Sequence, residues 1–194
     1  VRSGFTLIEM MIVVTMIAIV SALTLPQIDY TQFNLDSGMR TMRMALQKGQ
    51  SLAVAGQHDV LVGIDMAGKH KICVLEDADN NLAYTAGEHW TNYSLQDGVQ
   101  FGMPPSTWSG APVPTAMVTA TTVTFSCNPA TGTTYTGIVF HGDGAASSNA
   151  QFYITSKRGK ATDWRGVDLI QSTSRATPEK MTSTGTIQWE PAGF

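Results

Sequence analysis

One carboxylate stands inside an otherwise apolar stretch: Glu9 is the only charged residue between Phe5 and Leu25. Taking an isolated carboxylate out of water is costly, so a charge in this place calls for a cation to meet it. The plainer alternative is an anchor helix with an incidental glutamate. A second group is Asp77, Asp79, Asn81 and Glu88. These fall on the first, third, fifth and twelfth positions of a loop, the spacing with which oxygen ligands hold a hard cation, and calcium is the cofactor it would take. Leu82 occupies the sixth position, where such loops carry glycine for a sharp turn, and the flanks are strand-like. The same residues also suit a solvated turn whose Asp and Asn side chains bond their own backbone.

A third group is basic. Lys157, Arg158, Lys160 and Arg165 lie together with Trp164, and cations beside an aromatic ring suit phosphate contact and base stacking, which makes DNA the ligand to consider. A charged, solvated hairpin turn is the other reading. His58, His70, His89 and His141 have none of the spacings that mark a metal site, although His141 beside Asp143 is a ligand pair to weigh. The sequence has no Gly-x-Ser-x-Gly elbow, no glycine-rich phosphate loop and no dinucleotide fingerprint, so no enzyme is expected.

These groups sit on two kinds of element. The 21 residues from Phe5 to Leu25 would rise roughly 30 Å as a helix, enough to span a bilayer. Pro26 then predicts a kink, with helix continuing to Gly56. Over that continuation Ile28, Phe33, Leu35, Met39, Met42, Leu46, Gly49 and Ala53 recur every three or four residues, and Arg40, Arg43, Gln47 and Lys48 fall off the stripe. Beyond Gly56 the pattern is of short strands: 60–64 and 71–75 joined as a hairpin, then 99–102, 122–126, 137–140, 151–155, 167–171 and 186–189. The Pro-rich run 103–114 reads as a long exposed loop. A long helix followed by antiparallel strands gives the α+β class, the helix packed on an antiparallel sheet domain. The 18 glycines and 14% charged residues suit a β-rich domain, and the net charge of −3 argues against a general nucleic-acid coat.

Gly4-Phe5-Thr6-Leu7-Ile8-Glu9 followed by an apolar run resembles the type IV prepilin signature shared by major pilins, minor pilins and type II secretion pseudopilins. Ile138-Val139-Phe140-His141-Gly142-Asp143-Gly144 with Gln151-Phe152-Tyr153-Ile154 resembles the globular domain of the GspH/FimT group. The resemblance implies cleavage between Gly4 and Phe5 by a prepilin peptidase, N-methylation of Phe5, and a Glu9 that partners the terminal amine of a neighbouring subunit. It divides the chain into a leader remnant (1–4), a transmembrane assembly helix (5–26), an amphipathic continuation (27–56) and an exported β-rich domain (57–194). The implied place is the inner membrane, crossed once, with the domain in the periplasm or on an assembled filament. The implied partners are other pilin or pseudopilin subunits and the peptidase/methylase; some FimT-like members bind DNA, and some pseudopilins bind calcium. Cys73 and Cys127 would then lie in an oxidising compartment, where either a bridge or two buried thiols is compatible with the sequence.

Overall fold

The computed structural model describes residues 4–24, 30–65, 67–68, 70–104, 123–127, 132–184 and 186–191. The chain divides into two compact units, Val1–Tyr30 and Thr31–Phe194. The first contains helix α1, Leu7–Thr24. Its start is built by Thr6, whose Oγ1 accepts the Glu9 N–H at 3.3 Å and whose carbonyl accepts from Glu9 and Met10. Threonine followed three residues later by glutamate is the capping-box pattern, which satisfies amides that the first turn leaves without helical partners. Farther along, Thr15 donates its hydroxyl to the Ile12 carbonyl at 2.9 Å, so that hydroxyl asks nothing of the surroundings.

Among the described residues no helix is long and apolar enough to cross a membrane. The 18 residues of α1 rise only about 27 Å, a little under the roughly 30 Å of a hydrocarbon core. The expected kink at Pro26 and the join to the next helix lie outside the described residues.

The second unit is organised around helix α2, Tyr30–Gly56, which buries Leu35, Gly38, Met39, Met42, Ala45, Leu46, Gly49 and Ala53. This is the expected stripe with one correction. Phe33 is exposed, because at that end of α2 the inward positions are taken by Gln32 and Asp36, which bond to the domain. Ile28 lies outside the described residues.

Two antiparallel five-stranded sheets form the rest. One contains β1 (Asp59–Asp65), β2 (Lys71–Asp77), β3 (Trp90–Ser94), β5 (Val123–Phe125) and β6 (Tyr135–Phe140), in the order β3-β2-β1-β6-β5. The other contains β4 (Val99–Phe101), β7 (Ala150–Ser156), β8 (Arg165–Ile170), β9 (Arg175–Thr184) and β10 (Thr186–Pro191), in the order β10-β9-β8-β7-β4. Strands β3 and β9 were not expected. Residues 105–114 of the Pro-rich run lie outside the described residues. The β6–β7 turn contains Asp143 and Gly144, the latter at φ +85°, a conformation glycine adopts without a Cβ clash.

The main core lies between α2 and both sheets, with Val62, Ile64 and Phe140 from one and Phe101, Phe152 and Leu169 from the other. Gly49 lets α2 approach the first sheet closely: a Cβ there would meet Val62 Cγ2 at 2.3 Å. The first sheet is apolar on its other face too, where Leu61, Leu75, Tyr135 and Val139 surround Cys73 and Cys127. Burial on both faces explains why β1 reads as a continuous apolar run instead of an alternation.

Candidate functional site

The N-terminal segment is defined by what it exposes. Phe5, Leu7, Ile8, Met10, Met11 and Ile12 are all at least half exposed, and the apolar surface continues round the helix to Val20. An apolar surface on every side of a helix suits burial in lipid or among other helices. Glu9 projects from the first turn of this surface, where the positive end of the helix dipole favours a carboxylate. The arrangement presents one anion at the start of an apolar rod, a geometry that a cationic group on a neighbouring chain would complete.

In the second unit the acidic residues do converge. Ligand oxygens of Asp77, Asp79 and Glu88 lie within 4.8 Å of one another. Every one of their six carboxylate oxygens, however, already accepts a hydrogen bond from the loop itself. Asp77 takes the amides of Asn81 (3.1 Å) and Leu82 (2.6 Å). Asp79 takes the Asn81 amide and side chain and the Thr85 hydroxyl. Glu88 takes the amides of Ala78 (2.9 Å) and Thr85 (2.7 Å). Asn81 Oδ1, the remaining expected ligand, accepts from Ala83 N. Leu82 adopts φ +62°, the left-handed conformation for which such loops use glycine. Burial pushes the Asp77 carboxyl above the usual aspartate range and its acidic neighbours add to the rise, while the Leu82 and Asn81 amides oppose it. The donor set has the reach for a hard cation; the loop's own hydrogen bonds hold these carboxylates together and leave each oxygen further acceptor capacity.

Cys73 and Cys127 form a disulfide, with Cα atoms 6.5 Å apart. It ties β2 to the segment after β5, inside the outer core of the first sheet.

The basic group requires a correction. Arg165 is only 5% exposed. Its Nε donates to Asp36 at 2.8 Å, its Nη2 to Gln32 at 2.6 Å, and its Nη1 to the carbonyls of Thr162 and Trp164. Trp164 is buried. Arg158 pairs with the fully buried Asp163 through Nε (3.1 Å) and Nη2 (3.0 Å). Lys157 and Lys160 are exposed, and Arg158 stays partly exposed although its guanidinium pairs with Asp163. The 3-10 turn Ala161–Asp163 places the buried Asp163 carboxylate against Arg158, and Asp36 of α2 meets Arg165.

That carboxylate was not singled out from the sequence. Asp163 accepts from Gln32 Nε2 at 2.9 Å, from Arg158, and from the Ser156 hydroxyl. Gln32, Asp36, Arg158, Asp163 and Arg165 thus form one network fastening the first turns of α2 to the β7–β8 connection. His141 bonds Asp59 at 2.9 Å rather than forming a ligand pair with Asp143, which caps its own turn through the Ala145 amide.

Residues 1–25 match the family model described as the prokaryotic N-terminal methylation motif. Among curated proteins no sequence matches that of this chain. The structure is similar to that of the minor pseudopilin EpsH from the type 2 secretion system of Vibrio cholerae, with 13% identity, 78% of this chain and 98% of that one covered, and a TM-score of 0.45. The N-terminal segment itself carries the methylation motif.

Proposed function

We propose that this chain is a pilin-like subunit, a minor pilin or pseudopilin, that is cut between Gly4 and Phe5, methylated on Phe5 and assembled through its N-terminal helix. The observation that carries the reading is the methylation motif over residues 1–25; the exposed apolar surface of α1, with Glu9 as its single charge, agrees with it. In the membrane, residues 5–26 cross once and lipid covers the apolar side chains. In the filament, helices of neighbouring subunits replace the lipid. Glu9 then meets the terminal amine of a neighbour, and a pair of unit charges about 4 Å apart is worth roughly 4 kcal/mol at an effective dielectric of 20. A misplaced neighbour forgoes that energy, so the pair selects axial register as well as adding affinity. The domain supplies contacts and identity, and its role is structural.

The partners this requires are related subunits, the inner membrane and a prepilin peptidase that also methylates. DNA capture, the other reading, is weakened by the internal use of Arg158 and Arg165 and the burial of Trp164. Processing is tested with a Gly4→Leu variant, followed by immunoblot in cells containing the peptidase. The precursor should persist at full length, and a mature-size product from that variant would remove the cleavage assignment.

A further inference from the structure

Charge is segregated along the second unit. From Gly49 to Gly68 and from Ile72 to Ser156 the sequence contains no lysine or arginine. The topology gathers most of the acids of those stretches at the end of the unit where α2 finishes; Asp65, at the far end of β1, and Asp97 lie at the other end. Asp59 starts β1 and pairs with Asp77 at the end of β2. The Asn80 side chain accepts the Asp59 amide, which brings in the 78–89 loop. Gln57 and Gln50 donate to the carbonyls of Gly142 and Gly144, which brings in the Asp143 turn. The carboxylates of Asp59, Glu76, Asp79, Glu88 and Asp143 therefore share one end. So does the negative end of the α2 dipole, whose last turn holds no basic residue to offset it. A groove of about 460 Å³ opens there, lined by His58, Glu76, Asp79, Glu88 and His89.

The opposite end is built differently. The Lys157 amide donates to Gly98 O, and the Leu95 amide to His70 O. These bonds set the β7–β8 turn beside the start of β2. Beside Arg158 and Arg165, which pair with Asp163 and Asp36, Lys157 and Lys160 are exposed and Lys71 is half-buried; the carboxylates described at this end are Asp97 and the largely buried Asp65. The seven residues of β1 separate the two ends by roughly 20 Å.

We propose that the acidic groove end of one copy receives the Lys157–Lys160 turn of a second copy, a head-to-tail contact between the domains. The chain supplies both complementary surfaces, and a heterologous contact of this kind propagates along a row of copies. Electrostatic complementarity fixes orientation and partner more than it adds affinity. The contact is separate from the one made by α1, although both serve the assembly role proposed above.

The test uses the full chain in mild detergent with a water-soluble carbodiimide, which joins an amine to a carboxylate only in direct contact. The two ends are too far apart to link within one molecule, so any bond from Lys157 or Lys160 to Glu76, Asp79, Glu88 or Asp143 joins two copies. Mass spectrometry of the cross-linked peptides should find these as the main intercopy links. Their yield should fall by about fivefold or more at 1 M salt, where screening acts within roughly 3 Å. A Lys157→Glu, Lys160→Glu variant should lose them, and adding Glu76→Lys should restore a link in the reversed sense. If a variant fails to fold, the link sites and salt dependence of the wild-type chain decide. Absence of these links, links that persist at 1 M salt, or a folded swap that restores nothing would overturn the proposal. Oligomers that survive 1 M salt and disappear with Glu9→Ala report the α1 contact instead. Their persistence without the polar links would refute this inference alone.

Discussion

Replacing Asp163 with alanine should destabilise the second unit by about 3 kcal/mol. Asp163 is fully buried and accepts from Gln32, Ser156 and both Nε and Nη2 of Arg158. Removing one partner of a buried ion pair costs about 3–5 kcal/mol, chiefly because the remaining charge is left without compensation. The lower end applies here, because the Arg158 side chain is 35% exposed and can turn toward water. In a unit of about 160 residues each kcal/mol shifts the melting point by roughly 2–4 °C, so a drop of about 6–12 °C is expected. Asp163→Asn keeps acceptor oxygen and shape, and should cost about half as much. Thermal unfolding of the full chain in detergent, followed by circular dichroism, measures both. Hydrogen exchange should also speed up at the amides of Gln32 to Asp36, whose side chains depend on the network. A midpoint within about 1 °C of wild type, or unchanged exchange in that turn, would refute the idea that a polar latch holds the start of α2.

Replacing Cys73 and Cys127 together with alanine frees a loop with a sequence separation of 54; chain entropy puts the loss at about 4 kcal/mol, and a melting point insensitive to the change would contradict it. Asp77 gives a pH dependence with a definite sign. Its folded carboxyl titrates above the ordinary aspartate range, so its contribution is fully present below that range and is lost as pH rises through the raised value. The midpoint of Asp77→Asn minus that of wild type should therefore grow more positive from about pH 4 to pH 7, and a falling difference would reverse the assignment. Since the 77–88 loop is already closed by its own hydrogen bonds, its order does not depend on an ion and the melting point should be the same in excess calcium and in chelator. A calcium-dependent rise would assign an ion to the loop.

The features legible in the sequence are those written within a few residues. The apolar run of α1 and the stripe from Leu35 to Ala53 depend on local composition and periodicity, and the structure contains both. Phe33 was misplaced because a periodic stripe says nothing about a polar fastening that takes over the inward positions. The basic group was misread for the same reason at longer range. Asp36 lies 129 positions from Arg165 and Gln32 lies 131 from Asp163, so nothing near 157–165 announces that its guanidinium groups are already used. Strand β3, Trp-Thr-Asn-Tyr-Ser, is mostly exposed and lacks an apolar alternation. Strand β9 carries Pro178 among charged residues, yet it pairs on both sides, with β8 and with β10. The Asp77–Glu88 spacing was visible, but the amides that occupy its oxygens were not. Leu82 in a glycine conformation shows a backbone demand met by a residue that the sequence pattern counts against it.

The role of Glu9 is the claim on which the rest depends. It is tested most directly by expressing Glu9→Ala in cells that assemble the filament, and comparing the membrane fraction with the sheared filament fraction. The variant should be inserted, cleaved after Gly4 and methylated on Phe5, yet nearly absent from filaments. Incorporation equal to that of the wild-type chain would contradict the assembly role of this carboxylate.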